Sequence, residues 1–203
     1  MKRIEISILA ALIFSVALSM CTLHTECSEI RENVLRLHVL ANSDSEEDQS
    51  LKLQVRDRLL EISGEIYSNA GSKDEAIRAT EENLSVLHTE AEKVVRAKGY
   101  DYPVKVSLEE CYFNTRTYGN ITLPAGTYQA LRIVIGEGAG HNWWCVMFPP
   151  LCVSPASDGE ALLEDVLSSE EMDLVEGGGY EMRFKCVELY EDFRRRMSEK
   201  SGK

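Results

Sequence analysis

Three groups of residues in this chain have types and spacings that could do chemistry. His38 stands just ahead of Asp44, Glu46, Glu47 and Asp48. A base near carboxylates is what acid–base hydrolysis uses. These acids lack the interleaved Asp/Asn-Gly pattern of a calcium loop. A helix N-terminus, whose dipole favours negative charge, accounts for them without catalysis. His141, Cys145 and Cys152 form the second group. His141 and Cys145 are four apart and so share one side of a strand, as a thiol nucleophile or a three-ligand metal site would need. No fourth ligand and no second Cys-x-x-Cys pair accompanies them. Gly136-Glu137-Gly138-Ala139-Gly140 is the third group. It lacks the full dinucleotide spacing and the Lys-Ser/Thr ending of a phosphate loop, and Glu137 would repel phosphate. A glycine-rich turn between two strands is the better reading. No catalytic set, metal site or cofactor site is complete.

The stretch from Asn142 to Cys152 is of another kind. Both tryptophans of the chain, Trp143 and Trp144, are adjacent there, followed by Phe148 and Pro149-Pro150. On a strand the two indoles point to opposite sides. A core accounts for one of them. Two side by side, with a Pro-Pro constraint, suit a surface for docking a partner.

The elements that must position these residues follow from periodicity. Val34 to Ala41 reads as a strand with Leu35, Leu37, Val39 and Ala41 on one face and Arg36 and His38 on the other. It ends at Asn42-Ser43-Asp44-Ser45, side chains that cap helices. Leu51, Val55, Leu59, Ile62 and Ile66 then form the apolar stripe of one helix. Ser72-x-x-Glu75 opens a second, with the stripe Ile77, Leu84, Leu87, Ala91 and Val94. From Tyr102 the period becomes two. Strands are expected at Val104–Leu108, Tyr112–Tyr118 and Tyr128–Ile135, with Asn142–Phe148 as hairpin partner of the last. A strand from Tyr180 to about Leu189 and a short basic helix close the chain. The pattern predicts an α+β fold for residues 28–203 as a single domain: a mostly antiparallel sheet with two long helices packed on one face.

An N-terminal signal segment precedes that domain. Lys2 and Arg3 lead into Ile6–Leu23, which has no charged residue. That is the layout of a secretory signal, and Ala17-x-Ser19 offers the small residues that signal peptidase accepts. Residues 1–20 are therefore read as a signal peptide or, uncleaved, as a signal anchor. Lipidation of Cys21 is a further alternative, disfavoured by Met20 before it. Export makes disulfides the default for the cysteines. Cys111, Cys145, Cys152 and Cys186 allow three pairings. The short segment between Cys145 and Cys152 favours that bridge and leaves Cys111 with Cys186. In a less oxidising compartment all four are buried thiols.

Charge narrows the partners. The 203 residues carry 22 Lys+Arg and 34 Asp+Glu, a net charge of −12, which argues against nucleic acid or anionic lipid as the primary partner. Ser154 to Gly179 holds eight acids and no base. The acidity is mostly this one excursion at 154–179, read as a solvated loop, and the aromatic block before it is near neutral.

Two long motifs carry a resemblance. RLHVLANSDSEEDQSLKLQVRDRLLE (Arg36–Glu61) and TYGNITLPAGTYQALRIVIGEGAGHNWWCVMFPPLC (Thr117–Cys152) are similar to the stage II sporulation protein R family of endospore-forming bacteria. Cys145 and Cys152 sit where that family places its cysteines, whereas Cys111 and Cys186 do not belong to its pattern. The resemblance implies a signalling protein and not an enzyme. It would be made in the forespore and exported into the space between forespore and mother cell. There it would trigger a membrane-embedded aspartic peptidase that cleaves a pro-sigma factor of the pro-sigma-E type. On that reading Trp143, Trp144 and Phe148 are the partner anchors. Asn142, His38 and the corner from Asn42 to Asp44 supply polar contacts. Two other classes stay open: an exported hydrolase acting on peptidoglycan through His38 and the Asp44–Glu47 acids, and a structural or adhesive module.

Overall fold

A computed structural model describes residues 2–118, 121–150, 167–176 and 181–201. The first helix, α1 (Lys2–Asn33), is two things in one rod. Its apolar first half is bare, with Ile4, Ile8, Leu12, Phe14 and Leu18 all more than half exposed. Its last two turns are core, with Cys27 and Ile30 fully buried. Helix runs unbroken across the Ala17-x-Ser19 position. By length and composition this is the one described helix able to cross a membrane, a property that signal sequences share.

Strand β1 (Leu35–Leu40) leads through the Asn42–Ser45 corner into α2 (Glu46–Ile66), and α3 (Lys73–Ala97) follows. The caps form where the side chains dictate. Asp48 N–H donates to Ser45 Oγ at 3.2 Å, and Glu75 N–H donates to Ser72 Oγ at 3.3 Å. The second box is only half of the expected one, because the Glu75 carboxylate accepts from Gly71 N–H instead of Ser72 N–H. The remaining elements are β2 (Val104–Phe113), β3 (Arg116–Tyr118), β4 (Ile121–Leu123), β5 (Gly126–Ile135), β6 (Asn142–Phe148), α4 (Ser169–Val175) and α5 (Glu181–Ser201).

The sheet order is β2-β5-β1-β6, with β1 parallel to β5 and the other two ladders antiparallel. The fold is therefore α+β with a mixed sheet. Leu35, Leu37, Val39, Leu131, Ile133, Cys145 and Met147 face α2 and α3, where they meet Leu51, Val55, Leu59, Leu87, Ala91 and Val95. The opposite face is also covered. Val34, Ala130, Tyr128 and Val146 pack there with Cys27 and Ile30 of α1, Ile121 and Leu123 of β4, Met172 and Val175 of α4, and Val187 of α5.

Five expectations are corrected. β6 is not the hairpin partner of β5, because β1 lies between them. β1 is buried on both faces, Leu37 and Val39 on one and Arg36 on the other, so it takes the centre of the sheet. The two expected long helices, α2 and α3, do share one face; the end of α1 with α4 and α5 covers the second. Tyr112–Tyr118 is not one strand; it divides into the end of β2 and the short β3, which hairpins with β4. Residues 181–201 form a helix, not a strand, because Val187 and Glu191, one turn apart, bury one side of it. Its C-terminal helix is accordingly 21 residues, not short. Nor is the acidic segment simply a solvated loop: Leu167, Met172, Leu174 and Val175 within it are buried. Glu171 there accepts from Ser168 N–H at 2.7 Å and from Asn33 at 3.3 Å. The rest of that segment, 154–166 and 177–179, lies outside the described residues.

Candidate functional site

The two long sequence motifs meet in space. Asn42, at the end of β1, donates from Nδ2 to Asp48 Oδ2 at 2.8 Å and accepts Glu137 N–H on Oδ1 at 3.0 Å. Its carbonyl accepts Ala139 N–H at 3.2 Å, and that of Ala41 accepts Gly140 N–H at 3.0 Å. Ser43 Oγ donates to Asp48 at 2.6 Å, and Gln49 Nε2 donates to Ser43 O at 2.8 Å. The glycine loop thus crosses the end of β1 and is latched to the α2 N-terminus. Gly136 and Gly138 have positive φ of 60° and 63°, a region that glycine enters without strain. A Cβ on Gly140 would lie 2.1 Å from Ser43 O. The loop that resembled a phosphate cradle is a packing joint.

Asp48 is the hub of this corner and is 4 % exposed. Burial pushes its pKa up, but hydrogen bonds from Ser43, Asn42 and Tyr102 outweigh that and hold it below the ordinary carboxylate value. Lys52, also 4 % exposed, donates to Gln49 Oε1 at 2.5 Å and to His141 O at 2.9 Å. Burial lowers its pKa. At the solvent edge, His141 gives its backbone N–H to Asp44 Oδ1 at 2.6 Å and sets its ring Nδ1 against the same oxygen. These bonds lower the Asp44 pKa, the backbone bond first.

His38 and Asp44 do not come together. His38 reaches across the sheet from β1 to Asn142 on β6, with Nε2 and Oδ1 at 3.0 Å. That bond assigns the ring proton to Nε2. His38 Nδ1 is buried without a partner, and burial lowers the ring's pKa. Its other neighbours are the rings of Trp144 and Phe113. The carboxylates of the hydrolase reading thus lie with His141 and the α2 cap, not with His38. Among the described residues no three His, Cys, Asp or Glu side chains group as metal ligands.

Trp143 and Trp144 lie on opposite faces of β6, and both are half-buried. Each is covered by a guanidinium. Arg56 of α2 sits 4.2 Å from the Trp143 ring centre, and Arg116 of β3 sits 4.0 Å from that of Trp144. Phe148 is not an outward anchor: it is 5 % exposed and packs edge-on against Tyr67 in the core under α2 and α3. Cys145 is buried and disulfide-bonded; it is not beside His141, which is exposed. Cys152 and the side chain of Cys186 lie outside the described residues. Cys111 does not form the expected second bridge; it is a free, half-buried thiol, and burial and Glu109 raise its pKa.

Periodicity places Arg36 on the second face of β1 without assigning it a role. It is fully buried, with Nε donating to Cys145 O at 3.0 Å and Nη2 to Tyr118 Oη at 2.7 Å. Phe113, Tyr128 and Tyr118 surround its guanidinium at 4.3, 4.9 and 5.5 Å. Tyr118 Oη in turn donates to Trp144 O at 3.2 Å. Arg36 therefore ties β1 and the β3–β4 hairpin to the tryptophan strand. An arginine inside an otherwise apolar strand run was the available signal.

The family model described as stage II sporulation protein R matches residues 31–158. Those residues contain the corner, the glycine loop and both tryptophans. The stage II sporulation protein R of Bacillus subtilis (strain 168) is 38 % identical over 135 residues, 66 % of this chain and 60 % of that protein. The aligned part of the chain thus spans less than two thirds of that relative's length. No solved structure matches the chain. With the family model covering more than half of its length, from β1 through β6, the chain belongs to the stage II sporulation protein R family.

Proposed function

We propose that this chain is an exported intercellular signal of sporulation. It is made in the forespore and crosses into the space between forespore and mother cell. There it activates a membrane-embedded aspartic processing peptidase, which cleaves a pro-sigma factor of the pro-sigma-E type. The observation that carries the reading is α1, in which a bare apolar half runs directly into a buried end of the family's domain. Such a chain is directed to a membrane and holds its folded part at one side of it.

The docking surface proposed is the Trp144 side of β6: Trp144 under Arg116, with His38 and Asn142 beside it and Asp44 with His141 at the adjoining corner. Asn42 and Trp143 support that surface from behind through the glycine loop and α2. Cys145 with Cys152 is the proposed bridge that closes the segment after it. An activator of this kind must bind the active peptidase more tightly than the inactive one.

The test is co-expression of the full chain with the peptidase and its pro-sigma substrate in a host that does not sporulate. Processing should depend on this chain and fall with Trp144→Ala. With His38→Gln, whose amide can keep the bond to Asn142, it should weaken at most, whereas a hydrolase with His38 as its base would lose all activity. Processing that is unaffected by Trp144→Ala in a folded, exported protein would remove the docking surface. Failure of the chain to trigger any processing would remove the function.

A further inference from the structure

β2 is an end strand of the sheet, and its ten pairings with β5 run from Val104↔Ile135 to Phe113↔Gly126 without a register shift. Its hydrogen-bonding phase can be read from one bond. Gly136 N–H donates to Pro103 O at 2.8 Å, so the carbonyl of Pro103 faces β5. Alternation along an antiparallel strand then turns the carbonyls of Lys105, Ser107 and Glu109 inward and those of Val104, Val106, Leu108 and Glu110 outward. The outward carbonyl of Val104 is taken by His88 Nε2 at 2.9 Å, which agrees with this phase. Beyond it, the outward backbone groups of Val106, Leu108 and Glu110 have no partner among the described residues. The edge holds no proline and no bulge, two usual protections against strand pairing.

We propose that this edge pairs with a second copy of itself, β2 against β2 about a two-fold axis through Ser107. Side chains that meet across a continuous antiparallel sheet must lie on the same face. A self-pairing strand therefore has only a few two-fold registers, each named by the residue on the axis. An axis at Lys105, Glu109 or Glu110 sets like charges directly opposite one another. An axis at Ser107 sets Lys105 opposite the partner's Glu109, twice, on one face. On the other face it sets Val106 opposite the partner's Leu108, where both copies expose part of an apolar side chain. It is the register that pairs the strand's lysine with its Glu109.

The backbone phase fits as well. With Ser107 on the axis, Val106 and the partner's Leu108 exchange both of their outward bonds, which gives four bonds about the axis. Lys105 is exposed, and Glu109 already accepts from Arg132 at 2.7 Å. In the pair, Glu109 would lie between Arg132 and the partner's Lys105. Isologous pairing of this kind closes on itself and makes one eight-stranded sheet. β6 forms the opposite edge of each copy, so both tryptophan surfaces remain free.

The test uses the full chain in non-ionic detergent micelles, read by sedimentation and by cross-linking. Wild type should form a dimer. Ser107→Cys should give a covalent dimer on oxidation through that cysteine, because the non-hydrogen-bonded pair on the axis brings the two Cα atoms within disulfide range. The parent chain, with its own free thiols at Cys21, Cys27 and Cys111, is the control. Lys105→Glu should weaken the dimer roughly tenfold, since two attractive pairs become repulsive. Adding Glu109→Lys should restore it. Val106→Pro removes an outward N–H without touching a β2–β5 bond and should also weaken it. A monomer at all accessible concentrations overturns the proposal. A dimer that ignores both Lys105→Glu and Val106→Pro is built elsewhere, through α1 for example, and overturns it too.

Discussion

Asn42 and Gly136 fit one another: a Cβ on Gly136 would lie 2.2 Å from Asn42 Oδ1. The amide of Asn42 fills the space a side chain would need, and from there it holds both Glu137 N–H and Asp48. This pair joins the end of β1, the glycine loop and the start of α2. The tryptophan strand begins directly after that loop.

Gly136→Ala should therefore destabilise the protein through both backbone and contact. A non-glycine residue at positive φ costs about 1–3 kcal/mol, and Asn42 would also have to move. Urea unfolding should show a lower midpoint with an unchanged slope. Gly64→Ala, mid-helix in α2 with open space around it, should instead stabilise by about 0.5–1 kcal/mol.

Arg36 is a buried cation held by two hydrogen bonds and three aromatic rings. Arg36→Lys keeps the charge but cannot span Cys145 O and Tyr118 Oη with one planar group. Loss of one such bond in a buried site costs about 1–3 kcal/mol. Thermal unfolding should show it, and Tyr118→Phe should reproduce part of the loss.

Acid should act on the fold in two separate windows. His38 has a pKa below its ordinary 6.5, so the unfolded chain takes up its proton first. Its contribution is full above 6.5 and falls as pH drops from there through the folded value. Asp48 has a pKa below its ordinary 3.8. Its stabilisation is present above 3.8 and is lost as pH falls through the folded value. His38→Gln should flatten the first decline and Asp48→Asn the second, in unfolding midpoints measured from pH 8 to pH 2.

The two tryptophans should separate by fluorescence. Arg116 is exposed above Trp144, whereas Arg56 covers Trp143 against the α2 side. An exposed arginine–indole stack contributes about 0.5–1 kcal/mol. Arg116→Ala should thus barely move stability while making Trp144 more accessible to acrylamide. Quenching that is unchanged in Arg116→Ala would show that the stack does not cover the ring.

Much of the secondary structure could be read from local pattern because local physics sets it. The Ser45 and Ser72 caps, the Leu51–Val55–Leu59 stripe and the alternation in β1 follow from hydrogen-bonding side chains and a fixed period. The same holds for α1, whose apolar run needs no partner to be recognised. The placing of Arg36 and His38 on the second face of β1 was also legible.

What the tertiary structure decided was which elements meet. Chain order made β6 the natural partner of β5; burial of β1 on both faces put it between them instead. Near-alternating apolar residues in 181–189 suggested a strand, but contact of Val187 and Glu191 with the end of α1 made a helix. Composition makes Phe148 an anchor, and packing makes it core against Tyr67. Periodicity assigns Arg36 only to a face, and packing makes it the tie from Tyr118 to the tryptophan strand, with Arg116 over Trp144. Sequence periodicity states which face of an element is apolar. It carries no term for what lies on the other side of that face, and only the packed structure supplies one.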